Sequence, residues 1–501
     1  MLGGQVGSPE LDLFTHLASQ GAMIERLSSD SRGCAPGVAF FAYPGETADG
    51  RAYIGDAIRR RAAAVLWEAE GFAWRAEWNV PNVGVSRLKQ RAGALAHQFY
   101  GRPSEAMWVC GVTGTNGKTS CSQWLAALLS AHGDKAGVIG TLGSGLPGAL
   151  SAPTNTTPDT LELHATLAAM RREGARAVAM EVSSHGLAQG RVNGVAFDCA
   201  LFTNLSHDHL DYHGTMEAYA EAKGMLFDMP GLAAAVLNLD DVLGVQLARR
   251  LAARGVRTIG YALSPASIAP GSVSEFVAAR AMAVEGDAMR VLLASSWGEA
   301  ETRIDQLGRF NVSNALGVLG CLVAFGLAFD AASALLGNLP AVPGRMQRIV
   351  HTQGPLVVVD YAHTPDALEK VLQALRPLAD ARGGALVAVF GAGGERDPHK
   401  RPLMGAIASR LADRVVLTSD NPRSEEPLSI IEAIRAGTSR VHRIEPDRAA
   451  AIERAVLEAS ANDVVLVAGK GHETYQDIAG KRLPFSDAGA ARAALGHWRR
   501  R

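Results

Sequence analysis

The segment Thr113-Gly114-Thr115-Asn116-Gly117-Lys118-Thr119 constrains this chain more than any other. It follows the apolar run MWVCGV at 107–112 and precedes the helical pattern SCSQWLAALLSAHG, giving the order strand, glycine-rich turn, helix. Glycines let backbone N–H groups close on phosphate oxygens, and the helix N-terminus adds a partial positive charge. In such a loop Lys118 neutralises the β- and γ-phosphates and the Thr119 hydroxyl ligates Mg²⁺. A strict G-x-x-x-x-G-K-[ST] loop would place glycine where Val112 stands, so this is a variant, and a nucleoside triphosphate is its natural ligand.

The rest of the chain is consistent with a multidomain α/β protein. At 501 residues it is long enough for two to four domains. Lys+Arg 49 against Asp+Glu 50 advertises neither a nucleic-acid nor a membrane surface, so a charged ligand must be held locally. Cys34, Cys110, Cys121, Cys199 and Cys321 contain no C-x-x-C pair, and an odd count argues against a disulfide framework. The start, MLGGQVGSPELDLF, lacks a signal peptide's basic segment and apolar stretch, and a soluble cytoplasmic protein is expected.

Composition breaks at YGRPSE (100–105) and NLPAVPGRMQ (338–347) predict boundaries near 106 and 342. Residues 1–106, with strand-like runs at 37–45 and 62–70, form a small α/β domain. Residues 107–342, which alternate strands and helices, form a central P-loop ATPase α/β domain. Residues 343–501 carry GPLVVVDYA, ALVAVFGAGG, DRVVLTSD and DVVLVAGKG, the pattern of a doubly wound, Rossmann-like parallel sheet. Ligands of such sheets bind at the carboxyl ends of strands. Gly391-Ala392-Gly393-Gly394-Glu395-Arg396 is not a dinucleotide fingerprint, because Arg396 stands where glycine or alanine is needed.

The loop Gly114 to Thr119 resembles the ATP loop of the Mur ligases, which form amide bonds in peptidoglycan precursor synthesis. Further matches run along nearly the whole chain: Asp30-Ser31-Arg32, Ala48-Asp49-Gly50-Arg51, Asn155-Thr156-Thr157-Pro158, Glu181-Val182-Ser183-Ser184-His185, Asn204 to Asp211, Asp420-Asn421-Pro422-Arg423 and Gly469-Lys470-Gly471-His472-Glu473. They are most similar to the member that adds the third amino acid. The resemblance implies ATP-driven phosphorylation of the D-glutamyl γ-carboxylate of UDP-N-acetylmuramoyl-L-Ala-D-Glu, followed by attack of an amine on the acyl phosphate. An anionic carboxylate must then meet an anionic phosphate, so catalysis should consist mainly of positioning and charge neutralisation.

The same resemblance implies the site residues. Lys118 is catalytic, and Mg²⁺ ligands are Thr119, Glu181, His209 and Lys223, the last as an N6-carboxylysine whose CO₂-derived carbamate replaces a repelling ammonium by an anion. His207, His209 and His213 with Asp208 and Asp211 also invite a zinc reading, but Tyr212 stands where a zinc hydrolase needs histidine. Implied uridine-nucleotide contacts are Ser29, Ser31, Glu46, Thr47, Ala48, Asn155, Thr156, Thr157, Ser183, Gln189 and Arg191. Asn311, Arg345 and Asp360 are implied to join Gly114, Thr115, Asn116 and Gly117 at ATP. The protein is expected to act as a monomer on these small molecules.

Specificity follows from charge. The family's competing third amino acids are L-lysine and meso-diaminopimelate, which carries an extra distal carboxylate and so needs a cation. Arg423 and Arg396 supply cations, the lysine-adding members lack an arginine at the position of Arg423, and Asp420 and Glu473 can receive the distal ammonium beside Asn421, Pro422 and Gly469. Lysine would leave an arginine unpaired, at a cost of about 1–3 kcal/mol. Diaminopimelate is therefore expected. The alternatives are a lysine-adding ligase, a folylpolyglutamate synthetase, which normally has glycine where Thr119 stands, and an ATP-dependent switch, in which Glu181, His209 and Lys223 would have no joint purpose.

Overall fold

The computed structural model describes residues 11–46, 48–152, 155–286 and 288–499. They divide into two compact units, the first within 11–113, 129–200 and 222–234 and the second within 114–128, 201–221 and 235–499.

The first unit begins with a four-stranded parallel sheet, β1 (Arg26–Ser28), β2 (Val38–Ala42), β3 (Ala64–Glu68) and β4 (Asn82–Val85), in that order. The runs expected at 37–45 and 62–70 are its two central strands; the outer two are short and were not foreseen. Successive side chains of a strand point to opposite faces. Phe41 and Leu66 thus join one core with Leu88 and Leu95, while Phe40 and Val65 join another with Ile54 and Ala57. Buried Glu68 accepts from the backbone N–H groups of Arg87 (3.0 Å) and Leu88 (2.7 Å), a charge well placed at the N-terminus of helix Leu88–Phe99. Next come β5 (Trp108–Thr113), β6 (Ala136–Gly140), β7 (Gly143–Gly145) and β8 (Ala177–Glu181), with spatial order β5-β8-β6-β7.

One buried residue of this unit sets an acid response. His164, on helix Thr160–Arg172, is fully buried with Nε2 2.9 Å from the Asn193 carbonyl, and burial pushes its pKa from 6.5 down to about 4. The unfolded chain then binds the proton more readily, so stability is lost as pH falls from 6.5 towards 4, by about 3 kcal/mol for this group. Thermal denaturation between pH 7 and 4 should show a shallower acid limb in His164→Gln than in the parent; parallel limbs would assign acid sensitivity elsewhere.

In β9 (Cys199–Phe202) the chain leaves the first unit for the second, where β10 (Ala234–Asn238), β11 (Arg257–Ala262), β12 (Glu275–Glu285), β13 (Ala288–Ser295) and β14 (Gly298–Ile304) stand in the order β14-β13-β12-β11-β10. The expected alternation of strands and helices fails here, because β12, β13 and β14 form an antiparallel meander. Half-exposed alternating residues and short turns such as the one at Gly298 suit such a ribbon rather than buried parallel strands.

The C-terminal sheet is doubly wound as expected. It comprises β15 (Gln347–Ile349), β16 (Leu356–Asp360), β17 (Leu386–Phe390), β18 (Arg414–Leu417), β19 (Arg443–Ile444) and β20 (Val464–Ala468), ordered β15-β16-β20-β17-β18-β19. β16, β20, β17, β18 and β19 are parallel and β15 is antiparallel. One core gathers Leu368, Leu372, Met404 and Ile431 from helices Pro365–Arg382, Lys400–Leu411 and Pro427–Arg435. The other gathers Ile452, Val456, Ala491 and Leu495 from helices Arg448–Glu458 and Asp487–His497. A hairpin, β21 (Tyr475–Ile478) and β22 (Lys481–Pro484), is an addition the sequence pattern did not reveal. Among the described residues no helix is long and apolar enough to cross a membrane.

Candidate active site

Residues 114–117 turn into helix Lys118–His132, as the sequence order predicted. Gly114 has φ +144°, and a Cβ there would lie 1.9 Å from Thr203 Oγ1; Gly117 has φ +88°, and its Cβ would lie 2.4 Å from Asn314 Oδ1. Only glycine fits both positions. The segment after β9 clamps the loop: Thr115 N–H donates to the Asn204 carbonyl (2.8 Å), Asn116 N–H to Asn204 Oδ1 (3.0 Å), and Thr203 Oγ1 to the Asn116 carbonyl (2.6 Å). Lys118 Nζ folds onto the loop, donating to the carbonyls of Gly114 (2.8 Å) and Thr115 (2.9 Å), from which a phosphate can draw it.

Arg345 sits beside this loop within the second unit. Its Nη2 donates to Thr119 Oγ1 at 3.1 Å, and its guanidinium lies 4.4 Å over the Tyr361 ring. Asp360 holds it there indirectly, accepting from the backbone N–H groups of Met346 (2.7 Å) and Ala362 (2.8 Å). Asp360 is thus occupied in fixing the turn that carries Arg345. Asn311 is buried, its amide donating to the Leu307 carbonyl one helical turn back (2.8 Å).

A cleft of about 160 Å³ opens at the carboxyl end of the C-terminal sheet, and loops from four strands line it. β16 contributes Tyr361 and His363, β17 contributes Gly393 and Arg396, β18 contributes Asp420, Asn421 and Arg423, and β20 contributes Gly469 and Glu473. His207, Asp208, His209 and Asp211 face the same cleft, joined by Lys400. The sequence reading brought forward Arg396, Asp420, Asn421, Arg423, Gly469, Glu473 and His209, and it missed Asp208, His363 and Lys400 as lining groups. Pro422 does not line the cleft; its carbonyl would meet a Cβ on Gly394 at 2.0 Å.

The cleft carries both charges. Arg423 takes a left-handed conformation (φ +52°) fixed by hydrogen bonds of its backbone to Asp477 (3.0 Å) and Ala479 (2.7 Å). Its Nη1 donates to the Gly394 carbonyl, and among the described residues it has no carboxylate partner. Arg396 lies 3.9 Å from Asp211. Glu473 is held by Lys470, a fully buried side chain whose Nζ donates to Glu473 Oε2 (2.6 Å) and to Asn421 Oδ1 (2.8 Å). Asn421 Nδ2 donates to the same carboxylate at 2.8 Å. The sequence hint was the i, i+3 spacing of Lys470 and Glu473, but nothing in it foretold the pairing with Asn421. Burial pushes the Lys400 ammonium below its usual pKa and pushes the His363 imidazole down as well. Burial also raises Asp208, but the nearby charges of His363, His209 and Lys400 outweigh it and hold that carboxyl low.

His209 has a left-handed backbone (φ +54°), its N–H bonded to Asp208 Oδ1 at 2.9 Å and its Nε2 3.5 Å from Asp208 Oδ2. Among the described residues, no three ligand atoms of the His207–His213 segment lie within 4.8 Å of one another, so it is not an assembled zinc cage.

The remaining expected residues belong to the first unit. Glu181 ends β8, buried, its carboxylate accepting from Thr141 N–H (2.8 Å) and Thr141 Oγ1 (3.0 Å). Thr157 Oγ1 donates to the Glu181 carbonyl (3.0 Å) and lies 3.1 Å from Ser183 Oγ, and Thr156 Oγ1 is 3.1 Å from Thr141 Oγ1. Arg191 is steadied by Gln189 Oε1 (2.6 Å) and the Thr157 carbonyl (2.9 Å). Ser31 donates to Asp56 (3.0 Å), Ser29 hydrogen-bonds Tyr43, Glu46 pairs with Lys89 (2.6 Å), and the Ala48 carbonyl accepts from Gly45 (2.8 Å). Asn155 is exposed, and Thr47 lies outside the described residues. Lys223, in the last turn of helix Met216–Gly224, is only 1% exposed, unlike an ordinary helix-surface lysine.

A phosphate loop and a charged cleft at strand ends are the arrangement of an ATP-using α/β enzyme. The sequence matches three family descriptions: Mur ligase family, catalytic domain over residues 23–100, Mur ligase middle domain over 112–322, and Mur ligase, glutamate ligase domain over 344–471. The chain belongs to the Mur ligase family. It is 50% identical over 97% of both chains to the UDP-N-acetylmuramoyl-L-alanyl-D-glutamate–2,6-diaminopimelate ligase of Chromobacterium violaceum. To the ligase of the same name from Pseudomonas aeruginosa it is 49% identical over 96% of this chain and 97% of that one. A solved structure of a ligase with that name superposes with a TM-score of 0.66 at 36% identity, covering 95% of each chain.

Proposed function

We propose that this chain joins meso-diaminopimelate to the D-glutamyl γ-carboxylate of UDP-N-acetylmuramoyl-L-Ala-D-Glu, using ATP and passing through an acyl phosphate. The observation that carries the amino-acid choice is Arg423, a cation on the wall of the cleft with no carboxylate partner among the described residues. The distal carboxylate of diaminopimelate satisfies it; L-lysine offers nothing in that place. Glu473, oriented by Lys470 and Asn421, and Asp420 receive the distal ammonium.

Functionally the chain reads as three parts: 1–106 for the uridine nucleotide, 107–342 for ATP and 343–501 for the amino acid. Ser29, Ser31, Glu46, Thr47, Ala48, Asn155, Thr156, Thr157, Ser183, Gln189 and Arg191 serve the nucleotide substrate. Gly114 to Thr119 hold the triphosphate, with Lys118 moving from the loop carbonyls to the γ-phosphate as negative charge accumulates. Arg345, Asn311 and Asp360 complete the ATP contacts, and Asp360 also fixes the turn that carries Arg345. The γ-carboxylate oxygen attacks the γ-phosphorus and ADP leaves; the neutral amine nitrogen then attacks the acyl carbon, phosphate leaves and the nitrogen gives up a proton to solvent.

Mg²⁺ would be held by the Thr119 hydroxyl, the Glu181 carboxylate and a carbamate formed on Lys223, with His209 as a nitrogen contact. When bound it neutralises phosphate oxygens. The burial of Lys223 supports the carbamate, since CO₂ forming an Nζ–C bond with loss of a proton gives an anion suited to a cation site. The reading puts the enzyme in the cytoplasm, working as a monomer.

Phosphate release from ATP and Mg²⁺ with the UDP-N-acetylmuramoyl dipeptide decides among the alternatives. It should depend on meso-diaminopimelate, with the tripeptide product seen by mass and a carbamate signal appearing under ¹³CO₂. Preference for L-lysine would overturn the role of Arg423. Release indifferent to amino acid would favour an ATPase switch.

A further inference from the structure

Arg448 and Asp487 are the first residues of helices Arg448–Glu458 and Asp487–His497, and both side chains are fully buried. Arg448 Nε meets Asp487 Oδ1 at 2.7 Å and Nη2 meets Oδ2 at 2.7 Å, a bidentate pair. The same guanidinium reaches two backbone carbonyls, donating from Nη1 to Ser419 (3.1 Å) and from Nη2 to Ala468 (2.9 Å). Ser419 immediately precedes Asp420, and Ala468 immediately precedes Gly469. Asp420 lies in the loop after β18 and Gly469 in the loop after β20, two strands that are not neighbours, because β17 stands between them. One planar group therefore ties two loops that share no strand-to-strand hydrogen bonds. The loops also touch: Gly469 (φ +119°) packs on the Asp420 carboxylate so closely that a Cβ would fall 2.2 Å from Oδ2.

Stability alone does not call for this arrangement. Burying an ion pair loses solvation that its attraction roughly offsets, and apolar residues of similar volume often do as well or better. What apolar residues cannot do is donate to two carbonyls at a set separation, which the rigid fork of arginine does. Neither Arg448 nor Asp487 lines the cleft, so their effect must pass through the loops.

We propose that Arg448, locked by Asp487, is a positioning residue that fixes the spacing between the two loops walling the amino-acid subsite, and thereby sets affinity for the incoming amino acid. This rests on the reading of the cleft given above. Arg448→Lys keeps the charge but loses the fork; Asp487→Asn keeps the volume and releases the lock. Hydrogen exchange of the full-length variants should quicken about tenfold or more in peptides spanning 418–424 and 468–474 together. The KM for meso-diaminopimelate should rise about tenfold, with the KM for ATP and for the UDP-dipeptide within about twofold of the parent.

Unchanged exchange in both loops would overturn the proposal. So would quickened loops with a parental amino-acid KM, or a fall in kcat alone that follows the folded fraction, which is what a merely structural pair would give. If turnover of the parent proves indifferent to amino acid, the reading of the cleft fails instead, and loop exchange decides the brace by itself.

Discussion

Lys118→Met should lower the rate of tripeptide formation by about 10²–10³-fold while leaving the fold intact. In the structure the ammonium rests on two loop carbonyls, a hydrogen-bonding arrangement that the helix N-terminus and glycine turn hold without its help. The melting temperature should therefore move little. The loss should appear in kcat, because the charge is needed most as the γ-phosphoryl group leaves ADP. Parallel measurement of ATP binding makes the test sharp: a variant that binds ATP normally yet turns over slowly confirms a role in the transition state. Near-parental turnover would remove Lys118 from the mechanism.

Arg423→Leu should cut kcat/KM for meso-diaminopimelate by about 10²-fold, since an unpaired carboxylate would then sit in a partly desolvated cleft. For L-lysine the same change should matter by less than about threefold, so discrimination between the two amino acids collapses. The comparison is internal, because both amino acids are assayed on one preparation. Equal losses for both would mean that Arg423 only shapes its loop, which its backbone bonds to Asp477 and Ala479 could do with another side chain.

The phosphate loop was legible in the sequence because its chemistry is contiguous: strand, glycines, lysine and helix follow one another, and local geometry completes the site. The doubly wound C-terminal sheet was legible for a similar reason, as four apolar runs each end in small or polar residues. The cleft was only half legible. Arg423, Asp420 and Glu473 stand in short motifs, but the bond of Lys470 to Asn421 depends on β18 and β20 flanking β17, an order that chain succession does not reveal. Arg448 is hidden for the same reason, since its partners come from three distant segments. The antiparallel meander of β12–β14 escaped because its strands mix buried and exposed positions without a sustained helical or buried-strand period.

The mixed charge of the cleft has a consequence for inhibitor chemistry. Arg423, Lys400 and Arg396 stand within the same small volume as Asp208, Asp211, Asp397, Asp420 and Glu473. A neutral apolar compound of matching shape would strip water from these eight charged groups and return nothing to any of them. A purely anionic one would satisfy the cations while facing five carboxylates. Compounds able to occupy this space must carry both signs of charge, spaced to match the walls, and a screening collection chosen for uncharged drug-like molecules would pass it by.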